Sequence, residues 1–260
     1  MTVLAMDCAS ELMSVSLLRE DPPIRVVLRL DAGLTHGARL IPAIESVLDS
    51  AGVDLTAIDL IACTRGPGSF TGLRIAMSTA KGLAASTDTP TAAVPSLEAI
   101  AYSARFWRGV VIAAIDARKK RFYAALFANG ERLTPDLDAD PAAVARFIEQ
   151  HTTERPTLLT GPAAEMLSQA LHHHWEARNA APAPSMDART VPDLVVDVRA
   201  RGSVAEAVAE LVSQAPARYM LSEDEGPIYV RDSDAEIGVT TPRPRTVPEW
   251  ARTARRSDES

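Results

Sequence analysis

Residues 63–84 read C-T-R-G-P-G-S-F-T-G-L-R-I-A-M-S-T-A-K-G-L-A. An apolar run, Ile58 to Cys63, leads into three glycines and a proline, and a run with helical periodicity follows. Strand, glycine-rich turn and helix, in that order, are the parts of a phosphate-binding loop. Spacing decides against the two common kinds. A Walker A loop puts Lys and then Ser or Thr directly after its last glycine, whereas Leu73 follows Gly72. A dinucleotide loop needs G-x-G-x-x-G, and in Gly66-Pro67-Gly68-Ser69-Phe70-Thr71-Gly72 the third glycine comes one residue late. What survives is a structural role: glycines permit positive φ and close approach of backbones where a strand turns into a helix. Ser69 or Thr71 is placed to cap that helix.

The helix expected over Leu73–Ala85 is apolar around most of its circumference, with only Arg74, Ser78 and Lys81 forming a polar stripe. Such a helix is covered on two sides. Its small residues Ala76, Thr79, Ala80, Gly82 and Ala84 admit a close neighbour, either the rest of this chain or another protein. Arg74 is out of place, because a cation in the first turn opposes the helix dipole. It is expected to bend into solvent, to reach a nearby acid, or to meet an acid on a partner.

Upstream, the apolar runs Val3–Met6, Ser14–Leu18 and Ile24–Leu30 are separated by turn residues and read as a three-strand meander. Leu40, Ile44, Val47, Leu48 and Ala51 give His36–Ala51 a helical face, and Gly52 stands where a helix cap is common. Downstream come a strand at Thr91–Val94 and a helix from Leu97 to Arg105. Arg108-Gly109 then restarts the pattern with a hairpin, Val110–Asp116 and Arg121–Ala128, tipped by A-R-K-K. A helix at Pro141–Gln150, a strand at Thr157–Thr160, helices at Ala163–Leu171 and Val204–Ser213, and a loop over 176–190 complete it. The meander-then-alternation scheme occurs twice. The expected fold is α/β, with two actin-like, sugar-kinase-like halves in tandem. The expected divisions are 1–107, 108–240 and a disordered Pro/Arg-rich tail at 241–260.

With 260 residues, 47% hydrophobic and 23% charged, the chain has globular composition. Its formal charge of −7 disfavours stand-alone binding to nucleic acid. Two basic segments are candidates for touching RNA inside a larger assembly: the tail, with Arg243, Arg245, Arg252, Arg255 and Arg256, and the cluster at 117–121. The N-terminus reaches Asp7 without a basic, apolar leader, and no apolar run is long enough to span a membrane. Cys8 and Cys63 belong to no CxxC pair, so a cytoplasmic protein with reduced thiols is expected. Neither cysteine is adjacent to a histidine base.

Taken together, R65-G-P-G-S-F-T-G-L-R-I-A-M-S-T-A-K-G-L-A84, D7-C-A-S, H36-G-A-R-L-I-P, S96-L-E-A-I-A, D116-A-R-K-K-R-F-Y and G226-P-I-Y-V-R resemble the signature of the TsaB (YeaZ) family. The resemblance covers residues 3 to about 231 and leaves the tail outside. It implies an actin-like fold with a degenerate nucleotide site, in a non-catalytic paralogue of TsaD. TsaD transfers a threonylcarbamoyl group from an adenylate to the adenosine beside the anticodon in tRNAs reading A-starting codons. TsaB binds TsaD directly, and the small ATPase TsaE joins them, so tRNA is met only indirectly. A homodimer is expected when TsaD is absent.

The residues agree with a scaffold. Catalytic paralogues hold a metal with two histidines four apart on one helix face. Here His36 is followed four residues later by Leu40, so no metal is assigned. His172, His173 and His174 are adjacent and read as a solvated end. Asp7 is the weak candidate for nucleotide contact, but D-C-A-S lacks a glycine to wrap phosphates; no cofactor is expected. The partner interface is expected on the first half, at His36, Leu40, Ile41, Ile44, Arg74, Ala76, Met77, Ala80 and Lys81. The alternative function is an ATP-dependent small-molecule kinase or ATPase of the same superfold.

Overall fold

A computed structural model describes residues 1–33, 35–151, 156–180, 194–197, 203–222 and 224–230. The tail from 241 and the Ala/Pro-rich stretch beyond 180 lie outside the described residues. The meander is β1 (Thr2–Asp7), β2 (Leu12–Arg19) and β3 (Ile24–Asp31). Helix α1 (His36–Ala51), strand β4 (Leu60–Thr64), helix α2 (Phe70–Thr87), strand β5 (Thr91–Val94) and helix α3 (Ser96–Ser103) follow. These strands form one sheet in the order β3-β2-β1-β4-β5, antiparallel across β1–β3 and parallel from β1 to β5.

The pattern then repeats. Strands β6 (Val110–Asp116) and β7 (Phe122–Ala128) form the hairpin, and β8 (Glu131–Arg132) and β9 (Leu137–Ala139) both pair with β7. Helix α4 (Pro141–His151), strand β10 (Thr157–Thr160), helix α5 (Ala164–Ala180), strand β11 (Leu194–Val196), helix α6 (Val204–Gln214) and the short α7 (Pro216–Tyr219) complete the chain. The second sheet runs β11-β10-β6-β7-β8, with β10 and β11 parallel to β6. This is the twice-used actin-like α/β scheme expected from the sequence.

Alternation along the strands sorts residues into three cores. Leu4, Met6, Ile61 and Cys63 face α1 and α2. Val3, Ala5, Leu60 and Ala62 face the opposite way and share a core with α3, α6 and the inner residues Val111, Ala113 and Ile115 of the second sheet. Val110, Ile112 and Ala114 point outward onto α4 and α5. With helices on both faces, β1, β4 and β6 read as unbroken apolar runs.

The differences from expectation are local. Ser69, not Thr71, caps α2: its Oγ accepts from the Gly72 amide at 3.2 Å. The helix therefore begins at Phe70, because the capping bond recruits the last residues of the turn. Helix α5 continues through 176–180, which the composition assigned to a loop, since Trp175 buries against α4 and its indole N–H donates to Glu149 Oε1 at 3.0 Å. The strands β8, β9 and β11 are too short, at two or three residues each, to show a period. The expected boundary at 107/108 falls in the link from α3 to β6. Residues 203–222 return to the first sheet: the Ala205 amide donates to Ser14 Oγ on β2, and the Leu221 amide to the Thr91 carbonyl on β5.

Two hairpins contrast in backbone conformation. The β7–β8 turn uses Asn129 (φ 52°) and Gly130 (φ 79°), residues suited to the left-handed region. The β6–β7 turn instead holds Arg118, Lys119 and Lys120 at φ 63°, 53° and 58°. For residues with a Cβ this conformation costs ~1–2 kcal/mol each.

Candidate functional site

The site begins where β1, β4 and the glycine loop meet. Asp7 ends β1 and is buried; its Oδ1 accepts from Thr64 Oγ1 at 2.7 Å and from the Ala9 amide at 3.0 Å. Burial pushes the Asp7 carboxyl above its ordinary range, opposed by those two hydrogen bonds and by the nearby His36. His36 starts α1 as expected but is buried rather than at the surface, with Nε2 2.8 Å from the Ser10 carbonyl. The Nε2–H donates there, which pins α1 to the turn after Asp7. Burial also drives both thiols up, Cys63 to about 12, so neither is a thiolate at neutral pH.

The loop is filled by the chain's own backbone. A Cβ on Gly72 would stand 1.9 Å from the Cys8 carbonyl oxygen, and one on Gly68 2.5 Å from that of Ala9. At Gly66 (φ 113°) a Cβ would lie 2.3 Å from the Ile228 carbonyl oxygen. Three electron-rich oxygens therefore approach the turn where a phosphate-binding loop would receive oxyanions. Three of its amides are also engaged: Gly66 N–H donates to Ser96 Oγ at 3.2 Å, Ser69 N–H to the Ala9 carbonyl at 2.7 Å, and Gly72 N–H to Ser69 Oγ. Phosphate cradling needs such donors pointing outward.

The Ile228 carbonyl belongs to a strap, 224–230, that crosses the loop and α2. The Ile228 amide donates to the Arg65 carbonyl at 2.6 Å, and Lys81 Nζ to the Glu225 carbonyl at 2.7 Å. Arg74 stacks on the Phe70 ring at 3.7 Å and donates from Nε to the Tyr229 hydroxyl at 2.9 Å. Its answer to the helix dipole is thus a pair of aromatic rings, 5.0 Å apart, rather than an acid.

A family comparison can now be set beside this geometry. The family model described as TsaD, tRNA N6-adenosine threonylcarbamoyltransferase, matches residues 30–238. The Bacillus subtilis (strain 168) protein named tRNA threonylcarbamoyladenosine biosynthesis protein TsaB is 34% identical over 165 residues, 62% of this chain and 71% of that protein. The chain belongs to the TsaB (YeaZ) family. The TsaB of Escherichia coli (strain K12) is 38% identical over 133 residues, half of this chain and 57% of that protein. The solved structure of YeaZ from Pseudomonas aeruginosa superposes with a TM-score of 0.64 at 29% identity, over 88% of this chain and 99% of that one.

For this TsaB-family chain, the nine residues expected at a partner interface are not all on the surface. Leu40, Ile44, Ala76, Met77 and Ala80 are buried in the core that α1 and α2 share with the first sheet, and His36 is buried beside them. Of the small residues of α2, Ala76, Ala80 and Ala84 are therefore covered by this chain's own core, whereas Gly82 is exposed. Ile41 (42% exposed) and Arg74 remain at the surface, with Lys81 half-buried. Sequence reasoning missed Ser96, Thr64 and Tyr229. Ser96 and Tyr229 stand inside matching motifs, but their partners lie 30 and 155 residues away, a distance over which no periodicity carries information. The triple histidine sits within α5, where His172 and His173 are exposed and His172 Nδ1 is 2.8 Å from the Ser168 carbonyl.

Elsewhere, a cavity of about 290 Å³ lies between α3, α6 and β7, lined in part by Arg105 and Arg218. Both arginines are already paired, with Glu210 at 2.9 Å and Glu98 at 2.7 Å. Among the described residues, no helix is long and apolar enough to cross a membrane.

Proposed function

We propose that this chain serves tRNA threonylcarbamoyladenosine biosynthesis as a non-catalytic, activating subunit that binds TsaD, with TsaE joining the pair. One observation carries this reading: the loop that would hold phosphates is packed against the carbonyls of Cys8, Ala9 and Ile228, and the amides of Gly66, Ser69 and Gly72 are used internally. A carboxylate as buried as Asp7 is likewise poorly placed to hold a hydrated cation. The same packing counts against the alternative of an ATP-dependent kinase. The family relatives support the pathway.

The proposed contact surface is the exposed side of α1 and α2 with Ile41, Arg74, Lys81 and the strap, in the first of two halves divided near 107/108. In the absence of TsaD that surface is proposed to pair with a second copy. The working compartment is the cytoplasm, and the bulk of the tRNA affinity rests with the partner.

The test is threonylcarbamoyl transfer to unmodified tRNA by TsaD, TsaE and pre-made adenylate, with and without this chain, and binding to TsaD by light scattering. Binding and dependence of transfer on the chain are expected. Ile41→Arg should weaken TsaD binding roughly tenfold, about 1.4 kcal/mol, without lowering Tm. Ala80→Arg should abolish folding instead, because the cation enters a closed core. Normal transfer without the chain, or no TsaD binding, overturns the reading, and tight ATP binding by the isolated chain would favour the kinase.

A further inference from the structure

The cavity at the start of β6 lies apart from the glycine loop, and the proposed role leaves it unused. It is framed by α3 and the turn after it, by α6 and α7, and by the ends of β6 and β7 where Val110 pairs with Ala128. The other end of β6, at Asp116, is the one that leads to Arg118 and its contact with Glu11.

Three aromatic side chains line the cavity, Tyr102, Trp107 and Phe127, and Val111 and Leu211 complete an apolar interior. Its walls are held in place by the chain itself. The Trp107 indole N–H donates to the Pro156 carbonyl at 3.1 Å. That approach depends on Gly109, where a Cβ would stand 2.0 Å from the same oxygen and 2.8 Å from Trp107 Nε1. The Tyr102 hydroxyl accepts from Gln214 Nε2 at 2.7 Å, and Arg105 covers its ring at 4.2 Å. Phe127 is buried. Fixed rings around a space of about 290 Å³, at the small end of ligand pockets, suit a flat apolar body the size of an indole.

The mouth is charged in an ordered way. Arg105 Nη2 lies 2.9 Å from Glu210 Oε2, and Arg218 Nη2 lies 2.7 Å from Glu98 Oε1. In each pair the acid is the covered member, at 13% and 16% side-chain exposure, and the arginine the open one, at 46% and 64%. The acids are shared further: Glu210 also takes Arg25, and Glu98 accepts from the Tyr219 hydroxyl at 2.8 Å. The carboxylates are thus occupied underneath, while guanidiniums with five N–H donors apiece face outward. Such donors over an apolar slot select an anionic oxygen group. Among the lining residues, Arg105 and Arg218 against Glu98 leave one positive charge, which matches a monoanion rather than a phosphate dianion.

We propose that this cavity binds a small aromatic carboxylate, with its ring among Tyr102, Trp107 and Phe127 and its carboxylate on Arg105 and Arg218. Arginines without the slot would take anions indiscriminately, and the slot without arginines would not read charge; their juxtaposition defines the class. The inference goes beyond the proposed role and shares no residue with the glycine loop or the α1–α2 surface, so each stands or falls without the other.

The experiment is titration calorimetry on the full chain with indole-3-acetate, and with indole-3-ethanol as a neutral analogue of similar size. The acetate should bind with Kd of ~1 mM or tighter, and the ethanol about tenfold more weakly. Arg105→Gln with Arg218→Gln should erase that tenfold difference without unfolding the chain, because Glu210 keeps Arg25 and Glu98 keeps Tyr219. Leu211→Trp places an indole in the cavity and should abolish binding of both probes. Phe106→Ser, at an exposed ring outside the lining, should change nothing. No binding of indole-3-acetate by the wild-type chain overturns the proposal. So does equal affinity for the two probes, a preference that survives in the double arginine variant, or binding lost with Phe106, which would mean adsorption to the surface.

Discussion

Strands β1 and β6 hold equivalent places in their sheets, each ends on an aspartate, and each leads into a hairpin turn. The two ends are put to opposite uses. Asp7 is sealed: it accepts from Thr64 and Ala9, and the carbonyls after it close on the glycine loop. Asp116 is half-buried, and its carboxylate orders an exposed cationic tip. At the first end, glycines let backbones touch; at the second, residues with long side chains accept left-handed backbone instead. One strand scheme therefore supports a dry structural knot and a wet charged surface. What differs is which atoms approach the turn, not the topology.

The largest effect should come from breaking the knot. Gly72→Ala puts a methyl into the Cys8 carbonyl, which is backbone and cannot rotate away. A loss of about 3 kcal/mol or more is expected in urea unfolding, at the upper end of overpacking costs. A loss under ~1 kcal/mol would show that the loop has room, and the contrast between the two ends would fall.

Asp7→Asn should act more mildly and with a definite pH dependence. Burial holds the Asp7 carboxyl above its unfolded value, so the folded chain binds its proton more tightly than the unfolded chain does. Stability from this group is gained as pH falls through the raised value, and the ionised form is a burden above it. The asparagine should raise Tm by about a few degrees near neutral pH, and the advantage should shrink as the medium is acidified toward the ordinary carboxylate range. Thermal scans across pH would show it; an advantage that grows toward acid would mean that the ionised carboxylate is net stabilising.

The smallest effect belongs to the exposed end. Arg118→Ala removes ion pairs to Glu11 and Asp116 whose members are 65%, 58% and 27% exposed. Such pairs contribute ~1 kcal/mol or less and weaken with salt. Urea unfolding at low and high salt should show a small loss that disappears with salt. A loss above ~2 kcal/mol would place the tip among the structural elements rather than the surface ones.

Much of this was legible in the sequence. Helix α1 and strands β5, β6 and β10 fall where the apolar periods end, and Gly52 (φ 61°) terminates α1 as its position implies. The failure of the glycine loop to match either phosphate-binding spacing already pointed to a structural turn. The interface residues were less legible. Periodicity identifies a helix face as apolar but not what covers it, and on α2 the cover for Ala76 and Ala80 is the core of the same chain.

By itself the sequence determined the repeated scheme, the element order, the glycine turn and the acidic character, because these depend on local period, backbone permissiveness and charge counts. Tertiary structure decided the rest. It brought Ile228 over Gly66 and Tyr229 to Arg74, and returned α6 to the first sheet. Those outcomes turn on which surfaces exclude water together and which carbonyls meet which amides, and both are settled only when segments more than a hundred residues apart are packed side by side.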